Sequence, residues 1–263
     1  MRAIKRGLIF SVIFCFPVIA FCWGMLGHRI VGEIADSYLT PKARAEVKKI
    51  LGDTTIAIAA NWGDFIKSDP AYDSFEKWHY TDIDSGLTRA QAIAELKKDT
   101  SANLYTKSLF VISQLKNKQL SMDKKRMYLK LLIHFVGDMH QPLHVGRKNY
   151  IGGNRIRVQW FNNQTNLHIV WDESLISYQQ LTYKDYAEVI NHTTASQRAT
   201  WQKQSIAEWM AESYLIAETL FPEIKEENQK LSYRYNFLHV ATVNQQLLKG
   251  GVRLAGLLNE IFK

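Results

Sequence analysis

Residues 122–144 read MDKKRMYLKLLIHFVGDMHQPLH, and this stretch decides the fold class. Tyr128, Leu131, Leu132, Phe135 and Val136 recur at the spacing of one helix face, which predicts a long core helix over 122–140. Gln141-Pro142 ends it, because proline disfavours a helical residue before it. His134 and Asp138 are four residues apart and share a face. A histidine alone in Leu-Leu-Ile-His-Phe-Val is usually a satisfied core residue. A carboxylate on the same apolar helix is costly to bury unless a positive partner meets it. A metal ion is such a partner and takes imidazole and carboxylate ligands together. His144 follows Pro142, where the chain has left the helix and can fold back toward Asp138. His140 points to another side of the helix and reads as structural.

Working outward, His168 and Asp172 repeat the four-residue spacing around Ile169, Val170 and Trp171. Asp64, in Asn61-Trp62-Gly63-Asp64, and His79, in Trp78-His79-Tyr80, are weak signals taken singly. The rest is a run of helices. Ile30 to Tyr38 carries an apolar face, Thr40-Pro41 caps and opens a second helix to Leu51, and Gly52 stops it. A third is expected to hold Ile56, Ala60, Asp64 and Ile66. Further helices are expected over 89–98, 103–117, 183–190, 200–220 and 235–262, the last with a bend at Gly250-Gly251. Only Arg155 to Phe161 alternates like a strand, with a turn at Asn162-Asn163. The expected fold is a mostly α, single-domain multi-helix bundle with a small β-hairpin.

The first 22 residues read as a secretory signal: Arg2, Lys5 and Arg6 precede an apolar run from Leu8 to Ile19. That run is shorter than the roughly 20 residues of a membrane span. Ala20 and Cys22 suit a cut before Trp23, which leaves one domain over 23–263 and removes both cysteines. The mature chain would then enter an oxidising compartment, secreted or periplasmic, with no disulfide available. The formal charge of +8 falls by three with the leader. The remaining basic excess suits a polyanion and equally a solvated surface, so charge alone selects no partner.

Several motifs occur in order: Trp23-Gly24-x-x-Gly27-His28, Asn61-Trp62-Gly63-Asp64, Trp78-His79-Tyr80-Thr81-Asp82, the segment His134 to His144, Gly152-Gly153-Asn154, and Asn166-Leu167-His168 through Trp171-Asp172. Together they resemble the zinc-dependent single-strand-specific nuclease family, whose trinuclear zinc fold is shared with zinc phospholipase C. The resemblance implies three Zn²⁺. Asp64, His79, His134 and Asp138 would hold one, and His144, His168 and Asp172 a second. The third would take the amino nitrogen and carbonyl oxygen of Trp23, His28 and a bridging Asp138, which requires a free N-terminus at Trp23. It also implies cleavage of single-stranded DNA and RNA to 5′-phosphorylated products, with 3′-nucleotidase activity as a companion. Asp64 would orient the attacking hydroxide and Lys67 would neutralise charge on phosphorus. A base would stack between Tyr80 and Ile151, with Asp82 and Asn154 at its edge.

The chain departs from the family pattern around Gly152-Gly153-Asn154, where Tyr150 and Arg155 replace acidic residues and Arg147 and Lys148 add basic charge. These departures leave substrate preference open, a shift toward longer polyanions being one outcome, and leave the metal chemistry untouched. Two other readings stay open at this point. A zinc phospholipase C shares the His-x3-Asp-x5-His segment, although it does not account for Asp172 or Gly-Gly-Asn. A secreted zinc-binding protein without catalysis accounts for the ligands but gives Lys67, Tyr80 and Asp82 no work.

Overall fold

The computed structural model describes residues 23–263, and the expected leader lies outside them. Helix α1 (Met25–Ser37) is followed by α2 (Pro41–Leu51). Thr40 caps α2 by accepting from the Ala43 amide, Pro41 opens it, and Gly52 leaves it at φ 67°. The expected third helix is broken into α3 (Ile56–Ala59), α4 (Trp62–Phe65) and a short 3-10 turn, Ile66–Ser68. A ten-residue 3-10 helix, Pro70–His79, then carries the chain to His79, a candidate metal ligand. Helices α5 (Arg89–Lys98) and α6 (Leu104–Leu115) follow, each opened by a capping box.

Helix α7 spans Met122–His140, as its periodicity requires, and every residue from Leu131 to His140 is buried. A helix segment buried on all sides belongs at the centre of a domain, and α1, α2, α4, α6 and two later helices, Ile206–Leu220 and Tyr233–Ile261, all pack on or beside it. Strands β1 (Arg157–Trp160) and β2 (Asn163–Asn166) form the hairpin. Its turn is one residue earlier than expected: Asn163 pairs with Trp160, so Phe161 and Asn162 make the turn, with Phe161 at φ 55°. After β2 come α8 (Leu167–Ile169), a π-helical turn (Val170–Ser174), α9 (Leu175–Ser177) and α10 (Tyr183–Ile190).

The expected helix over 200–220 is two: α11 (Ala195–Lys203) and α12 (Ile206–Leu220), divided where Ser205 forms a capping box with Glu208. The hairpin also gains a third strand, β3 (Gln229–Leu231), parallel to β1, so the sheet order is β2-β1-β3. Helix α13 (Tyr233–Ile261) runs through Gly250-Gly251 as one element. Those glycines serve close packing rather than a bend, since a Cβ on Gly251 would lie 2.4 Å from the Ile34 side chain of α1. The core between α1, α7, α12 and α13 also buries Arg253. Its Nη2 is 2.6 Å from Glu212 on α12, and its Nη1 is 2.8 Å from His140 Nε2 on α7. His140 is therefore structural, with burial and the adjacent guanidinium lowering its pKa to about 3.

Candidate metal centre

Three clusters of buried histidine and carboxylate meet at the C-terminal end of α7. The potential ligand atoms of His144, His168 and Asp172 lie within 4.8 Å of one another, as do those of His79, His134 and Asp138, and those of His28, Asp64 and His134. Asp138 sits between clusters. Its Oδ2 is 3.1 Å from His79 and 3.3 Å from His134, while its Oδ1 is 3.4 Å from His28 and 3.6 Å from His144. His134 and Asp138 come from one face of α7, and His144 from the 3-10 turn Pro142–Val145 that Pro142 starts. His168 sits on α8 and Asp172 on the π-helical turn, a departure from the regular helix expected there that still keeps the pair at 3.0 Å. Asp64 lies on α4, and His79 ends the 3-10 helix.

Two glycines make the cluster possible. A Cβ at Gly137 would lie 2.5 Å from His28 Nδ1, and one at Gly63 would lie 2.4 Å from His134 Cδ2. The rings occupy the space that any side chain would fill, and His28 and His134 stack with centroids 3.9 Å apart.

The chemistry of the donor set fits divalent cations. His134, His144 and His168 each place Nδ1 2.6–2.7 Å from a backbone carbonyl, of Ala60, His79 and Gly152 respectively. An Nδ1–H must donate there, so in the neutral ring Nε2 carries the lone pair. Those lone pairs converge on other donor atoms: His144 Nε2 is 3.6 Å from Asp172 Oδ1, and His134 Nε2 is 3.7 Å from Asp64 Oδ1 and 3.0 Å from His79 Nδ1. Opposed lone pairs in a buried site call for a cation between them, and a carbonyl holding the far nitrogen is the usual support of a metal-bound imidazole.

Burial keeps these rings neutral. It holds His28 and His79 well below the ordinary histidine value and takes His134 to about 4. At His168, burial is outweighed by Asp172, which raises the pKa and marks where positive charge is wanted. Both ring nitrogens of fully buried His28 lack a hydrogen-bond partner among the described residues. Trp23 is fully buried, and the Gly24 amide donates to the Asp172 carbonyl at 2.7 Å, tying the start of the described chain to the turn that carries Asp172.

Beside the centre opens a cavity of about 340 Å³ lined by His79, His144 and His168. Lys67, Tyr80, Asp82, Ile151 and Asn154, all expected near substrate, line it too. Lys67 Nζ is 2.7 Å from Asp64 Oδ1. Ile151 has φ 46°, an outlier for a β-branched residue, and the left-handed Gly152 and Gly153 follow it. Asn154 also serves the turn, donating from Nδ2 to the Ile151 carbonyl at 3.1 Å.

A cavity lined by histidines, Tyr80 and Lys67 opens beside these groups, and a model of the S1/P1 nucleases matches residues 23–263. The chain belongs to the S1/P1 nuclease family. Endonuclease 4 of Arabidopsis thaliana is 32% identical to it, over 92% of this chain and 90% of that protein. Nuclease P1 of Penicillium citrinum is 28% identical over 91% and 97%, and nuclease S1 of Aspergillus oryzae is 26% identical over 92% and 93%.

Within this S1/P1 framework, the basic residues flanking Gly-Gly-Asn make contacts of their own within the fold. Arg147 is engaged inside the fold, with Nη2 2.9 Å from Glu218 and its guanidinium 5.1 Å from the Phe221 ring. Lys148 pairs with Asp84 at 3.1 Å, and Arg155 donates to the Asn149 carbonyl at 3.4 Å. Tyr150 packs on Phe221 with ring centroids 5.2 Å apart. The sequence reading missed Gln141, which is fully buried, donates from Nε2 to Asp172 Oδ1 and accepts from the Leu143 amide. It also missed the cavity wall on the 3-10 helix: Tyr72, Asp73, Phe75 and Glu76. A search at period three, rather than 3.6 or 2, would have exposed that wall.

Proposed function

We propose that this protein is a secreted or periplasmic zinc-dependent endonuclease. It hydrolyses single-stranded DNA and RNA to 5′-phosphorylated products and acts on 3′-nucleotides as well. What supports this reading is that one cavity is lined both by His79, His144 and His168 and by Tyr80 and Ile151. Such a cleft suits a phosphodiester at the metals and its base on an aromatic face. Stacking is worth about 1–3 kcal/mol per base and tolerates any sequence. A base can reach that face only outside a duplex stack, which gives the single-strand preference.

The residues fit three zinc ions. Asp64, His79, His134 and Asp138 would hold one, His144, His168 and Asp172 a second, and Trp23, His28 and Asp138 a third. Bound there, zinc supplies Lewis-acid charge and lowers the pKa of water toward neutrality. The chain's own groups do the positioning. Asp64 accepts a hydrogen bond from the attacking water and fixes its line of approach. Lys67, beside Asp64, presents its ammonium to the charge growing on the phosphoryl oxygens, where a preorganised donor is worth most. Water adds across the P–O3′ bond, its oxygen to phosphorus and a proton to the departing 3′-oxygen. Tyr80 and Ile151 hold the base, and Asp82 and Asn154 meet its edge.

A leader with Arg2, Lys5, Arg6 and an apolar run supports secretion, and among the described residues no helix is long and apolar enough to cross a membrane. The test is digestion of matched single-stranded and duplex oligonucleotides, in DNA and RNA, by protein beginning at Trp23, with end-group analysis. Cleavage of single strands leaving 5′-phosphates and 3′-hydroxyls supports the reading. Inert zinc-loaded protein overturns it and directs attention to phosphatidylcholine release, then to zinc storage.

A further inference from the structure

The 3-10 helix Pro70–His79 repeats every three residues, so residues i and i+3 lie in rows along its axis. One row is Tyr72, Phe75 and Trp78. Phe75 stacks on Trp78 with centroids 4.1 Å apart and planes 19° apart, and Tyr72 meets Phe75 edge-on at 5.6 Å. The adjacent row is Asp73, Glu76 and His79, which aligns two exposed carboxylates with a metal-binding histidine. Tyr72, Asp73, Phe75 and Glu76 line the same cavity as Tyr80 and Lys67.

These features ask for a particular ligand. The cavity has the volume of a site for a drug-sized molecule, more than one phosphate group occupies. Asp73 and Glu76 repel phosphate, which Lys67 and the metal-binding groups attract from the other side. What suits the carboxylate wall is an uncharged ring with N–H donors, seated on Tyr72 and Phe75. An ionised carboxylate only accepts hydrogen bonds and can accept two in parallel. Guanine offers two adjacent donors, N1–H and the N2 amino group. Uracil and thymine offer one N–H, flanked by carbonyl oxygens that a carboxylate repels.

We propose that Tyr72, Asp73, Phe75 and Glu76 form a second nucleobase subsite beside the one at Tyr80 and Ile151, and that it selects guanine over uracil or thymine. The proposal rests on the nuclease reading above and adds a sequence preference to it.

The test measures kcat/KM of the zinc-loaded protein on all sixteen ribodinucleotides, for the wild type and for Asp73→Ala/Glu76→Ala, which alters exposed positions only. At one of the two nucleotide positions the wild type should favour guanine over uracil about tenfold, equivalent to about 1.4 kcal/mol. The double variant should lose most of that preference. A second readout needs no catalysis: in metal-free protein, tryptophan fluorescence titrations should show guanosine binding more tightly than uridine, and the double variant should narrow that gap to what Asp82 at the first subsite supplies. Equal rates for guanine and uracil at both positions, or a guanine preference left unchanged at both positions by Asp73→Ala/Glu76→Ala, would overturn the subsite while leaving the nuclease reading intact. Failure to cleave any dinucleotide or longer single strand would overturn both.

Discussion

Gly137→Ala sets two physical effects of opposite sign against each other. In a helix interior, alanine is favoured over glycine by about 1 kcal/mol, so propensity alone makes the variant more stable. The Cβ, however, would lie 2.5 Å from His28 Nδ1 and 2.9 Å from His28 Cε1. Optimal heavy-atom contact is at roughly 3.5–4 Å, so the overlap approaches or exceeds 1 Å. The crowded atoms belong to a fully buried ring on α1, which packs between α7 and α13. Overpacking of this kind costs about 1–3 kcal/mol, leaving the metal-free variant destabilised by about 1 kcal/mol after the propensity gain. Relief comes by turning His28 away from Asp138, now 3.4 Å distant, so the variant should also lose the metal proposed at His28. Urea unfolding in chelator reads the steric term, and the same titration with excess zinc, together with metal analysis, reads the second. A variant that is more stable than wild type in chelator and keeps a full metal complement would refute the reasoning.

Lys67→Met should lower kcat by about 10²–10³, the range for removing one transition-state donor, with metal content unchanged in elemental analysis. Trp171 donates from Nε1 to the Tyr235 hydroxyl at 2.9 Å in a buried setting. Tyr235→Phe leaves that donor unmet and should cost about 1–3 kcal/mol in urea unfolding. Burial pushes Glu212 up, but Arg253 and Lys249 outweigh it and hold its carboxyl below the usual value of 4.5. A depressed carboxylate stabilises the fold above its unfolded pKa, and that contribution disappears as pH falls through the folded one. The stability difference between wild type and Glu212→Gln should therefore be largest at neutral pH and shrink below about pH 4.5, as read by unfolding midpoints along a pH series.

The parts of the fold that were legible in the chain are those governed by local spacing. Helix α7 begins and ends where its apolar face and Pro142 require, and α10 follows from its own pattern in the same way. Short elements were not legible. The helix expected across Ile56 to Ile66 breaks at Ala60-Asn61, where packing against α1 and α7 overrides its apolar periodicity. Strand β3 has three residues, Gln229–Leu231, and exists through parallel pairing with a strand about seventy residues earlier. No local alternation announces such a strand. Gly250-Gly251 looked like a bend because glycine weakens helices, whereas its function lies in the contact with α1.

The candidate site divides in the same way. The pairs His134 with Asp138 and His168 with Asp172 are visible as four-residue spacings. Asp64, His79 and His28 are recognisable only through motif resemblance, because nothing local separates them from surface or core residues. Gln141, Gly63 and Gly137 act by meeting side chains far away in sequence. Asp73 and Glu76 were hidden by a helix whose period is three.

The account stands most directly on the metal centre. Protein beginning at Trp23 should be stripped with a chelator and returned to zinc in steps, with bound metal and cleavage of a single-stranded oligonucleotide measured at each step. Activity should vanish in the stripped protein, return with zinc and saturate at three ions per chain. Cleavage that persists without metal, or protein that binds three zinc ions and leaves the oligonucleotide whole, would contradict it.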